Sequence, residues 1–300
     1  MPGAMSIPIE IAIPVLVILV MTIVGMDLRI EDFRCMRRYP VLVPGIVIGQ
    51  WIVLTMVVAL AGRMLNLPAE IIGGAVLVAA APVAGLSGFY TQLAGGHLAL
   101  AVTVAAVSNV LAIVVTPLVA MIGLGWFLHT GTAVDLPAAR VAQQMFVGLL
   151  LPLLGGMSIR HRAPRGVRRW RRPLHLLGTL AVVAVLGLVV IDQYSVIQRQ
   201  IGTLLGAAAL FTLLMLAVGL LAARIWARSA EDRRAIVWGF PARNVALATL
   251  IATAAVGHVS MASFIAVLFA TQVVTLIPLA LWMRRRDANP RCGAEASEAT

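Results

Sequence analysis

Lysine is absent from this chain: all 23 basic residues are arginine. Acidic residues number only 12, and Glu10, Asp27, Glu70, Asp192 and Glu231 all lie near the ends of apolar segments. Cysteine is reduced to Cys35 and Cys292, each in a short loop or tail, which argues against a disulfide framework or a thiolate metal cluster. The histidines are His97, His129, His161, His175 and His258, scattered near segment ends. An enzyme working inside a membrane would need such groups clustered within a segment, so we assign no catalytic residue, metal or cofactor. Acidic rings of the kind that select ions in channels are missing too.

What the chain has is apolar length. With 61% hydrophobic residues, 12% charged residues and a mean hydropathy of +0.99, it reads as an integral membrane protein without room for a separate soluble domain. A net charge of +11 would ordinarily raise nucleic acid as a partner. Nearly all the arginines lie between apolar runs, however, where they orient the chain and meet lipid headgroups; nucleic acid is not expected.

The apolar runs predict nine transmembrane helices, at about 7–28, 41–62, 69–95, 98–126, 139–159, 174–192, 200–225, 235–256 and 259–283. Together they form one transporter-sized domain over 1–284, followed by a short tail at 285–300. The first run has no basic leader and is read as a retained span. Nineteen arginines fall after the first, fifth and seventh spans and in the tail, against Arg63, Arg140 and Arg199 on the other side. That bias places the N-terminus outside and the C-terminus in the cytoplasm of a cell inner membrane, as an odd number of spans demands.

Two spans carry interruptions. Pro82, Gly85 and Gly88 break the third, and Gly239 and Pro241 break the eighth. Counted along the chain, the two enter the membrane from opposite sides, the layout of an inverted repeat whose discontinuous helices cross near the midplane. Arg243 lies nine residues beyond Arg234, about 13 Å deep at roughly 1.5 Å per residue. A charge there costs on the order of 3 kcal/mol and normally faces a cavity, a partner or a pathway.

Several segments resemble the bile acid:sodium symporter family: Gly25-Met26-Asp27-Leu28-Arg29-Ile30-Glu31-Asp32-Phe33, Leu65-Asn66-Leu67-Pro68-Ala69-Glu70, Ala81-Pro82, and Tyr90-Thr91-Gln92-Leu93-Ala94-Gly95-Gly96. The resemblance implies an all-α transporter with a panel at about 7–28 and 139–192, and a core at about 41–126 and 200–283 containing the crossed helices. It also implies an ion site, from which this sequence departs. The family's Gln on the second span is kept as Gln50, which reads equally as a helix-to-helix hydrogen bond. Its Ser-Asn pair reads Ser87-Gly88, its two hydroxyl residues read Ala101 and Ala105, and its Glu-x-Gly-x-Gln-Asn reads Gly239-Phe240-Pro241-Ala242-Arg243-Asn244. The glutamate is gone.

Without the family the same conclusion follows. A hard cation wants several oxygens and usually a carboxylate, whereas a fixed guanidinium about 4 Å away would repel it by around 4 kcal/mol at an effective dielectric of 20. Arg243 therefore either takes the place of the ion or locks the opposed helices by bonding their carbonyls, and its five donors allow both. It also calls for an anion. Arg243, Asn244, Ser87 and Gln272 are the expected substrate contacts, Gln272 on the resemblance alone; Ser108 and Asn109 read as either structural or functional. The expectation is a monomeric, sodium-independent secondary transporter of a small organic anion, with membrane lipid as its other partner. A non-transporting sensor, or an efflux carrier for another solute, stays open.

Overall fold

The computed structural model describes residues 9–27, 39–128, 143 and 146–288. Expectations resting on Cys35, Cys292, His129, Arg140, residues 28–38 and the tail beyond 288 lie outside the described residues.

Every regular element among the described residues is helical, as a bilayer requires of segments that must satisfy their own backbone groups. In chain order these are α1 (Ile9–Asp27), α2 (Leu42–Met64), α3 (Ala69–Ala80), α4 (Leu86–Leu93) and α5 (Leu98–Leu128). After a π-helical turn at Phe146–Leu150 come α6 (Leu151–Arg162), α7 (Pro164–Arg169) and α8 (Arg171–Asp192). The last are α9 (Tyr194–Trp226), α10 (Ala230–Gly239), α11 (Val245–Leu250) and α12 (Val259–Ala288). Four helices, falling in α2, α8, α9 and α12, are each long and apolar enough to cross a membrane unaided, and α5 makes a fifth when counted as one bent span.

The bend in α5 is 71°, between Leu98–Ala112 and Val114–Gly125. Pro117 explains its position, because proline lacks the N–H that would reach the carbonyl four residues back and its ring crowds that carbonyl.

Regular helix stops at two places within these segments. The first runs from Ala81 to Gly85, the second from Phe240 to Asn244. Pro82 and Pro241 lie inside them, Gly85 immediately precedes α4, and Gly239 is the last residue of α10. Gly88 is a correction. It lies within the first turn of α4 and does not break it, since its N–H finds the carbonyl of Gly85, as the N–H of Ser87 finds that of Ala84.

The short broken halves occupy the interior. Ten consecutive residues of α3, Ile71 to Ala80, and all six of α11 are buried, with α2, α5, α9 and α12 packed around α3. α1 packs chiefly on α6 and α8, and a side chain at Gly25 or Gly156 would run into the backbone of Leu153 or Thr22 respectively, so both positions need glycine for the α1–α6 approach. The outer faces carry large exposed apolar residues such as Ile122, Leu213 and Val274, the surface of a protein solvated by lipid.

Candidate functional site

The two breaks meet in the middle of the bundle. Val83 and Arg243 face each other in an antiparallel bridge, flanked by Ala84 N–H donating to the Ala242 carbonyl and Asn244 N–H donating to the Pro82 carbonyl, each at 2.9 Å. α5 satisfies what remains. The Ser108 hydroxyl accepts from Val83 N–H at 3.1 Å, while Asn109 Nδ2 donates to the carbonyls of Val83 (3.0 Å) and Ala105 (2.8 Å). Backbone freed from helix at this depth is tolerable only when paired in this way. These contacts give Ser108 and Asn109 a structural part.

The C-terminal end of α3 is capped by side chains from three elements. Ala80 carbonyl accepts from Trp51 Nε1 at 2.9 Å and Thr116 Oγ1 at 2.8 Å, and Ala79 carbonyl accepts from Arg243 Nη2 at 2.7 Å. Terminal carbonyls lack helical partners and carry the negative end of the helix dipole, so a cation is favoured there. This is how the fold holds Arg243, only 2% exposed, without an ion pair among the described residues. Its Nε and Nη1 have no hydrogen-bond partner among the described residues.

Gln50 stands beside the second break. It sits in a π-helical turn of α2, Gly49–Val53, a local widening that recurs at functional positions. Both polar atoms of its amide are buried without a partner among the described residues. A Cβ added to Gly239 would lie 2.9 Å from Gln50 Nε2, so glycine leaves room here that a larger residue would fill. Gln50 and Gly239, separate in sequence, are therefore direct neighbours.

The remaining expected residues divide. Ser87, in the first turn of α4, buries an unpartnered hydroxyl, and Thr91 one turn later on the same face does the same. Trp238 Nε1 is likewise unpartnered, and its ring lies 5.8 Å from that of Tyr90. Gly88 packs next to Leu98, Ala101 is buried, and Ala105 contributes a carbonyl to Asn109. Asn244 spends its oxygen capping α11, accepting from Leu247 N–H at 3.1 Å, and turns its nitrogen to Met21 Sδ on α1 at 3.6 Å. Gln272 donates to Met215 Sδ on α9 at 3.4 Å. No hydrogen bond joins Asn244 or Gln272 to the Arg243 guanidinium among the described residues.

Sequence reasoning missed Trp51, Thr116, Thr91 and Trp238. The i, i+4 spacing of Ser87 and Thr91 was the one available signal; the others depend on tertiary approach. It also missed a pair outside the breaks: His97 Nδ1 lies 2.8 Å from Asp232 Oδ1, and Arg234 Nη1 donates to the Gly95 carbonyl at 2.7 Å, fastening the turn after α4 to the start of α10.

A family model described as the Sodium Bile acid symporter family matches residues 14–200. That segment contains the first break and Gln50 but ends before the second break. Among similar proteins, the "Uncharacterized sodium-dependent transporter YocS" of Bacillus subtilis is 26% identical over 230 residues, covering 77% of this chain and 70% of its own length. The "Probable sodium/metabolite cotransporter BASS2, chloroplastic" of Oryza sativa subsp. japonica is 28% identical over 195 residues, 65% of this chain and 45% of its own length. A shorter stretch, 94 residues at 34% identity, matches the "Probable sodium/metabolite cotransporter BASS4, chloroplastic" of Oryza sativa subsp. indica over 31% of this chain and 21% of that protein.

Proposed function

This chain belongs to the sodium bile acid symporter family of membrane transporters, and from that premise we propose that it carries a small organic anion by alternating access without sodium. The reading extends to nine spans, an inverted repeat, panel and core moving against each other, and a cytoplasmic C-terminus in the inner membrane.

One observation carries the proposal: Arg243 is buried at the paired breaks with Nη2 held by Ala79 and with Nε and Nη1 unpartnered. Nε–H and Nη1–H lie on different edges of the guanidinium, and the second N–H of Nη2, the one not spent on Ala79, completes one of those edges into the planar fork that grips a carboxylate, sulfonate or phosphonate. Among the described residues no carboxylate takes them, so the substrate's anionic group is the natural acceptor. The same charge opposes a cation. With glycine at 239 and alanine at 101 and 105, the oxygen ligands a sodium ion would need are missing too.

A second reading has its own support. The bond from Arg243 to Ala79 ties the second break to the helix before the first, which is the contact a purely structural lock would make. Flux into vesicles decides between coupling modes: uptake of the substrate anion is expected to be unchanged when external sodium is replaced by potassium or choline at constant ionic strength. A large sodium stimulation would overturn sodium independence, and absence of any flux with retained binding would favour a sensor.

A further inference from the structure

Between α2 and α9 lies a groove of about 610 Å³ whose lining is almost entirely apolar. Its two walls are open to the outside, with Val41 just before α2, Ile48 on α2 and Ile225 on α9 well exposed, whereas its floor, Phe240, is 0% exposed. On this wall the lining runs from Val41, just before α2, to Val53 within it. At roughly 1.5 Å per residue that is about 18 Å, close to one leaflet of a hydrocarbon core about 30 Å thick. Such a site has nothing to offer an ion or a polar solute and suits a single hydrocarbon chain.

The sequence around one end of the groove is basic. Trp226, partly exposed, lines the groove where α9 ends, and the exposed Arg224 and Arg228 flank Trp226 in sequence without lining the groove themselves. In sequence, Arg37 and Arg38 directly precede Tyr39 and Pro40, no acidic residue occurs between Phe33 and Ala69, and none occurs between Asp192 and Glu231. A hydrocarbon slot one leaflet long that ends in an aromatic and a set of arginines matches a lipid with an anionic headgroup. We propose that this groove binds one acyl chain of an anionic phospholipid from the leaflet on the arginine-rich side, with its phosphate against Arg224 and Arg228.

The occupant touches the transport machinery from behind. Phe240 is the first residue of the second break and follows Gly239, and Gly49 and Val53, which line the opposite wall, belong to the π-helical turn that carries Gln50. A chain filling the groove packs Gly49 and Phe240, the chain neighbours of Gln50 and Gly239, and an empty groove withdraws that packing. The inference requires that these helices span a bilayer; it requires nothing about substrate or coupling ion.

The test uses the full chain in nanodiscs of phosphatidylcholine with or without dioleoylphosphatidylglycerol, read by native mass spectrometry for retained lipid and by thermal unfolding. Wild type is expected to retain phosphatidylglycerol in preference to phosphatidylcholine and to melt higher in its presence. Ala222→Phe, which fills the groove, should lose the retained lipid, while Leu213→Phe on an exposed face of the same helix should keep it. Arg224→Gln and Arg228→Gln leave the packing intact and should each reduce the preference about five-fold, the factor for ~1 kcal/mol per basic residue at an anionic surface. Equal retention of both lipids by wild type would overturn the proposal, as would full retention by Ala222→Phe. A dimer sealing the groove, or protection by an amphipathic organic anion but not by phosphatidylglycerol, would overturn it equally.

Discussion

Arg243 meets Val83 through its backbone and Ala79 through its side chain, so a single residue of the second break is fastened to both sides of the point where the first helix ends. Val83 is itself gripped on both its N–H and its carbonyl by α5. The two breaks and α5 consequently form one hydrogen-bonded unit, and displacing any member exposes backbone groups that hydrocarbon cannot satisfy.

Asn109 should therefore matter to stability. Asn109→Leu takes the only side-chain donor from the Val83 carbonyl among the described residues, and leaving a buried polar group unpaired costs about 1–3 kcal/mol. A clearly lower apo melting temperature is expected. Ser108→Ala, which leaves Val83 N–H without its acceptor, should act in the same direction. Wild-type melting in both variants would show that the break does not depend on α5.

The two roles of Arg243 leave different traces. As an anion anchor, Arg243→Ala should abolish substrate binding and Arg243→Lys should weaken it, because an ammonium keeps the charge but loses the planar fork. As a lock only, both variants should melt lower without ligand, and the folded fraction should bind normally. Since Nη2 is committed to Ala79 while Nε and Nη1 are free, a modest loss of stability together with a loss of affinity is expected. Affinity and apo melting measured on the same samples separate the outcomes.

Much of the architecture was legible because membrane helices announce themselves by apolar length, and because proline and glycine inside such runs mark where backbone bonding must fail. Pro82 and Pro241 do lie in breaks, and the family resemblance carried by the first half of the chain is matched by the family comparison. Gly88 misled because a glycine's permissiveness says nothing of whether the local hydrogen bonds form, and here they do. The bend of α5 follows from Pro117, a residue easily passed over within a long apolar run. The site was less legible. Gln50 and Gly239 could be named but not joined, and Trp51 and Thr116 reach Ala80 only through tertiary packing. Asn244 shows the limit most clearly: an amide at a break reads as a ligand, yet its oxygen is used to cap the helix that follows.

Orientation can be tested at described positions on either end of α9. With Cys35 and Cys292 replaced, Ser195→Cys should react with a membrane-impermeant maleimide added to intact cells whose outer barrier has been opened. Arg228→Cys should react only after the inner membrane is permeabilised, because the arginine bias puts it on the cytoplasmic side. Labelling of both from one side would mean that α9 does not cross the membrane.

The lost carboxylate offers the sharpest experiment on coupling. Gly239→Glu places a Cβ 2.9 Å from Gln50 Nε2, the movable end of a flexible side chain whose amide has no hydrogen-bond partner among the described residues. The clash is thus relieved by a small rotation, and the new carboxylate can accept from that same amide. On its own, however, Gly239→Glu would meet the guanidinium of Arg243 or an ion, and the fixed cation should win. Combining it with Arg243→Gln removes the competitor, frees the Ala79 carbonyl from the guanidinium and adds a carboxylate and an amide to Gln50, oxygens of the kind that suit a hard cation. Sodium-dependent stabilisation is expected in the double variant and in neither single variant. It should be partial, since Ala101 and Ala105 still lack hydroxyls. If the well-folded double variant melts identically in sodium and choline, the cation-substitution account of Arg243 is wrong.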